Sequence, residues 1–88
     1  MFGTWTLADF KGVKLPQEVA TGFVAVTSEL VGAEYQPVLY IGNQVVKGTN
    51  YCVLALQTIR GKQRFVKVIF NLDLDGEYSL ISISGVNL

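Results

Sequence analysis

The apolar positions of the chain follow two periods that change over near Gly32. Val19, Phe23, Val26 and Leu30 recur every three or four residues, the spacing of one stripe along a helix. Leu15-Pro16 opens this segment, because proline is tolerated in a first turn, and Glu18 suits the positive N-terminal end. Gly32 is a natural stop, so the pattern predicts a helix over 15–31. Gly22 weakens it by about 1 kcal/mol relative to alanine, so its stability must come from packing.

From Tyr35 onward the chain reads as strands. Val38 to Val46 is β-branched and aromatic, with Pro37 at its start, where a missing N–H matters least. Tyr51 to Ile59 follows a turn at Gly48, Phe65 to Phe70 follows Arg60-Gly61-Lys62, and Tyr78 to Val86 follows the hairpin dipeptide Asp75-Gly76. Four strands joined by short turns form an antiparallel meander, adjacent in chain order. Alternation puts Cys52, Leu54 and Leu56 on one face with Val66, Val68, Phe70, Ile81 and Ile83, and puts Gln57, Lys67 and Tyr51 on the other. The helix stripe needs a partner and this face needs a cover. One helix packed across a four-stranded antiparallel sheet meets both needs, an α+β fold with Cys52 buried. Residues 1–14 show no sustained period and read as an extended N-terminal arm; Trp5 and Phe10 attach it to the body, or Phe2 and Trp5 serve as a binding arm.

Composition narrows the functions. A chain of 88 residues makes a single domain, 1–88, and buries about 60 to 65% of its unfolded surface, enough for one two-layer core. Half the residues are apolar, which argues for a globular fold, and seven basic side chains balance seven acidic ones. Neutrality removes any general attraction to nucleic acid or to an anionic membrane. With no His and a single Cys, the usual nucleophile, base and metal constellations cannot be assembled. The expectation is therefore a protein that is not an enzyme and needs no cofactor or metal. Asp73, Asp75 and Glu77 form an acidic cluster that reads as a solvated turn before it reads as a calcium or acid/base site. Arg60, Lys62, Arg64 and Lys67 read as a solubilising hairpin, since alternation sends Arg64 away from Phe65 and Lys67. Met1 to Trp5 has no basic segment followed by an apolar run of signal-peptide length, and no stretch approaches the roughly 20 apolar residues of a membrane span. A cytoplasmic location is expected.

One stretch stands out from this ordinary reading. In Gln44-Val45-Val46-Lys47-Gly48-Thr49-Asn50-Tyr51 two valines sit near a turn where Asn, Asp or Gly would be cheaper, and an exposed apolar tip suggests a contact. The stretch resembles the cystatins, whose hallmark is Gln-Val-Val-Ala-Gly, continued by Thr-Asn-Tyr in the stefin branch; seven of its eight positions match. Gly3 lies where cystatins carry an N-terminal glycine. Leu-Val-Gly-Ala-Glu-Tyr-Gln-Pro at Leu30 to Pro37 is similar to a segment of small bacterial cystatin-like proteins, to which the chain looks closest.

The resemblance implies a helix gripped by the sheet, with a wedge at one end that enters the cleft of papain-like cysteine proteases and blocks it without reacting. By position, the wedge would comprise Phe2 and Gly3 of the arm, the hairpin Gln44, Val45, Val46, Lys47 and Gly48, and a second hairpin at Leu72, Asp73 and Leu74. Phe2 would fill a substrate pocket. Lys47 stands where the family has Ala, and the second hairpin lacks the family's Pro-Trp or Leu-Pro-Gly. The resemblance also implies a monomer that forms a domain-swapped dimer when the first hairpin straightens, releasing strain expected if Val45 and Val46 are held in a tight turn. Two other functions stay open: an interaction module with no protease target, and a helix-grip domain binding a small ligand, which an unfilled gap between helix and sheet would favour.

Overall fold

The computed structural model describes residues 14–87. It contains one helix, α1 (Gln17–Thr27), and four strands, β1 (Glu34–Val46), β2 (Gly48–Ile59), β3 (Lys62–Leu72) and β4 (Tyr78–Gly85). The strands form a single antiparallel sheet in the order β1-β2-β3-β4, and α1 packs across one face of it. This is the expected α+β arrangement, consistent with a cystatin-like layout. Of the expected arm, all but Lys14 lies outside the described residues, and with it Phe2, Gly3, Trp5 and Phe10. Among the described residues no helix is long and apolar enough to cross a membrane.

The helix is shorter than its periodicity suggests. Pro16 caps it with an extended ψ of 149°, which moves the start to Gln17. At the other end the Thr27 hydroxyl donates to the Phe23 carbonyl at 2.7 Å, and the Ser28 hydroxyl donates to Ala25. Hydroxyl side chains that bond back to the preceding turn compete with continuation of the helix. Gly32, with φ at +88°, turns the chain into β1 instead of capping the helix, and Leu30 drops out of the stripe.

Val19, Phe23 and Val26 are buried against Val53, Ala55, Val66, Val68 and Phe70. The expected face of β3 is therefore the covered one, but β2 is turned over. Tyr51, Val53, Ala55 and Gln57 face the helix, while Cys52, Leu54 and Leu56 lie half-buried on the open side. The pairings Val53↔Val68 and Ala55↔Val66 impose this, since directly opposed residues share a face. The helix approaches the sheet closely at Gly22, where an added Cβ would run into the rings of Phe70 and Tyr78. Cys52 is consequently not buried in the core.

In β4, Ile83 packs against the core, whereas Ile81 is exposed. A register shift leaves Ile81 unpaired between Leu80, opposite Phe70, and Ser82, opposite Ile69, so the alternation breaks there. The β2–β3 turn has positive φ at both Arg60 (50°) and Gly61 (78°), the type I′ geometry that matches strand twist. Gln57 is buried and satisfied: it donates to the Tyr35 hydroxyl at 2.8 Å and accepts from Arg64 Nε at 2.7 Å.

Candidate functional site

Two hairpin tips meet at one end of the sheet. In the first, Gln44 pairs with Asn50, Val45 with Thr49 and Val46 with Gly48, leaving Lys47 alone at the tip. The valines are thus strand residues and not turn residues. The expected strain of a β-branched turn is absent from them, and the positive φ of +92° falls on Gly48, which tolerates it. Gly48 has a second role. A Cβ at this position would collide with the Leu72 carbonyl oxygen and stand 3.0 Å from Asp73 Cα, so the first tip is seated on the end of β3 at a distance only glycine allows.

The second tip, between β3 and β4, is organised by Asp73. Its Oδ1 accepts the backbone N–H of Asp75 at 2.8 Å and of Glu77 at 2.9 Å, while the Asp73 N–H donates to the Glu77 carbonyl at 2.9 Å. A carboxylate that accepts two backbone N–H groups substitutes for strand pairing across the loop. Gly76, at φ +86°, donates to the Asp73 carbonyl and closes the turn. Of the three residues expected to contact a protease here, only Leu74 presents an exposed side chain; Leu72 packs on the core and the Asp73 carboxylate is engaged within the turn. Among the described residues no group of three or more His, Cys, Asp or Glu is placed to hold a metal.

Three apolar side chains are exposed at this end, among the charged residues Lys47, Asp75 and Glu77. Val45 is 80% exposed, Leu74 78% and Val46 46%. The tips are held from below by a row of aromatic rings, one from each strand, that the alternation reading had not assembled because it placed Tyr51 on the open face. Tyr40 and Tyr51 have centroids 6.4 Å apart, Tyr51 and Phe70 5.6 Å, and Phe70 and Tyr78 6.1 Å. The Tyr78 hydroxyl donates to the Glu18 carbonyl at 2.8 Å, tying the second hairpin to the start of α1, and Asn43 donates to the Tyr40 hydroxyl at 2.9 Å. Burial, and then the charge of Glu18, push the Tyr51 phenol above its ordinary value. The legible signal for this row was an aromatic residue in each strand close to the end that carries the tips.

Elsewhere the chemistry is sparse. Burial raises the Cys52 thiol, and nearby Lys67 offsets part of the effect, so thiolate is disfavoured at neutral pH. Beneath the helix, side chains with zero exposure fill the space against the sheet. The apolar groove of about 480 Å³ runs instead along the flank of α1, open to solvent, between Phe23 and Val24 on one side and Tyr35 and Pro37 on the other. The chain matches no family model, no curated protein and no solved structure.

Proposed function

We propose that this chain is a non-covalent inhibitor of papain-like cysteine proteases, acting from the cytoplasm through a cystatin-type wedge. The observation that supports the reading is the pairing of two rigid tips at one end of the sheet, with Val45, Val46 and Leu74 exposed there and Gly48 seated against Leu72. Desolvation of such apolar anchors supplies most of the affinity of a compact interface. Phe2 and Gly3 would complete the wedge from the arm. Lys47, at the tip, must reach solvent at the rim or meet an acidic group on the protease, because a charge stranded in the cleft is costly. Straightening of the same hairpin on partial unfolding would exchange segments between two chains.

A titration of papain activity tests the reading. Wild type should inhibit weakly, Lys47→Ala more strongly, and Val46→Asp not at all. If none inhibits at high micromolar concentration, the edge is not a protease wedge. The interaction-module reading then leads, favoured by the long cation at the tip. If Val46→Asp inhibits as well as wild type, binding uses another surface. For the small-ligand reading the available space is the open apolar groove of about 480 Å³ between α1 and the start of β1, since side chains with zero exposure occupy the middle of the helix–sheet layer.

A further inference from the structure

α1 lies over β3 and β4, so on its other flank the inner face of the sheet runs out from under the helix toward β1. The apolar groove of about 480 Å³ occupies that flank. Its sheet wall is Tyr35 and Pro37, paired with the inward-facing Gln57 and Ala55, and its helix wall is Phe23 with Ala20 and Val24. Ala20 and Val24 stand one turn apart, an apolar line beside the buried stripe, and Val24 is 63% exposed. Among the described residues lining the groove, Glu34 is the one charged side chain. The two layers of a small domain are stable when apolar flanks of this kind are covered.

We infer that residues 1–13 fold back onto this groove, with Trp5 and Leu7 seated between α1 and β1. Three observations select this segment as the occupant. The described chain begins at Lys14, and the next residue, Leu15, both lines the groove and packs on the core. The segment is therefore tethered at the wall it covers, and a tethered segment docks without the translational cost that a separate molecule meets. Its reach is sufficient: α1, with 11 residues, is about 16 Å long, and the chain from Leu15 back to Leu7 extends about 26 Å, enough to reach any point along the helix with slack for a turn. Its side chains fit as well. Thr4-Trp5-Thr6-Leu7 alternates, so an extended backbone turns Trp5 and Leu7 to one side and both threonines to the other. Seated there, Trp5 is a packing residue of the fold, and the groove is closed to a small ligand. The inference does not rest on the wedge, because the hairpin tips lie at the strand ends and Phe2 and Gly3 precede the seated pair.

Trp5 is the only tryptophan, so its fluorescence in the full chain reads the groove directly. In the native protein its emission should lie to the blue of the urea-unfolded chain, and acrylamide should quench it severalfold less. Val24→Lys puts a charge on the groove wall at an already exposed position, and should move both readings most of the way to their unfolded values while the far-UV circular dichroism stays unchanged. Val31→Lys, at a position 99% exposed and outside the groove, should change neither. Trp5→Ser should uncover the groove and raise the fluorescence of added anilinonaphthalene sulfonate severalfold over wild type; this comparison decides the matter if Val24→Lys loses the fold. Native emission and quenching equal to those of the unfolded chain overturn the inference. So does a shielded Trp5 indifferent to Val24→Lys, which seats it elsewhere, and so does shielding lost on dilution, which assigns it to a second molecule. Wild type that binds the dye as strongly as Trp5→Ser also overturns it, because the groove is then open in the folded chain.

Discussion

The two hairpin tips at one end of the sheet are held in opposite ways. The first, Gln44 to Gly48, is held by backbone alone: Gly48 sits so close to the Leu72 carbonyl that no side chain fits between them. The second, Asp73 to Glu77, is held by a side chain whose carboxylate gathers two backbone N–H groups. The difference shows where each tip spends its polar groups. A tip fixed by close approach leaves Val45 and Val46 free to face outward, while a tip fixed by a carboxylate takes Asp73 out of any contact and presents only Leu74.

The sharpest way to break this contrast is Gly48→Ala. It places a side chain both at a left-handed φ and against main-chain atoms that cannot swing away, and should lower stability by at least about 2 kcal/mol in urea denaturation. The same substitution should raise the fraction of domain-swapped dimer after mild heating, read by size-exclusion, since an opened hairpin relieves both constraints. A variant as stable as wild type would mean the first tip is not seated on β3.

Asp73→Ala should cost less, about 1 to 2 kcal/mol, because the freed N–H groups of Asp75 and Glu77 are exposed and regain water. Asp73→Asn keeps an acceptor and should recover more than half of the loss. Equal effects of the two substitutions would remove the carboxylate from its organising role.

Raised pH separates the tips again. The fold favours the neutral Tyr51 phenol, so its folded value lies above the ordinary 10.0. The associated stability is fully present below pH 10 and is lost as pH rises through the raised value. Tyr51 pairs with Asn43 beneath the first tip, so the denaturation midpoint of wild type should fall in strong alkali and that of Tyr51→Phe should fall less. Identical alkaline profiles would show that the ring does not report on this end.

The smallest effects are expected at the apices. Lys47→Ala and Leu74→Ser touch neither lock and should change stability by no more than about 0.5 kcal/mol. Both should nonetheless alter papain inhibition if the tips are the contact, which separates binding from folding in one pair of measurements.

Much of this was readable along the chain, for local reasons. The stripe Val19, Phe23 and Val26 is a helix in any context that covers it, and Arg60-Gly61 and Asp75-Gly76 specify turns through φ. The Gln44 to Gly48 hairpin was legible by composition, and the positive φ of Gly48 by residue type. The close seat of Gly48 on Leu72 and the engagement of Asp73 by Asp75 and Glu77 were not legible, because both depend on where a chain segment lies in space.

The instructive failure is β2. Both of its parities are apolar, Tyr51, Val53 and Ala55 on one and Cys52, Leu54 and Leu56 on the other, so a period of two carries no information about which faces the helix. Larger leucines argued for one answer and packing took the other. Element types, their order and the tight turns follow from residues acting on their own neighbours in the chain. The face of β2, the position of Cys52 and the joining of the two tips follow from cross-strand register and from how closely α1 can approach, which are relations between residues far apart in sequence.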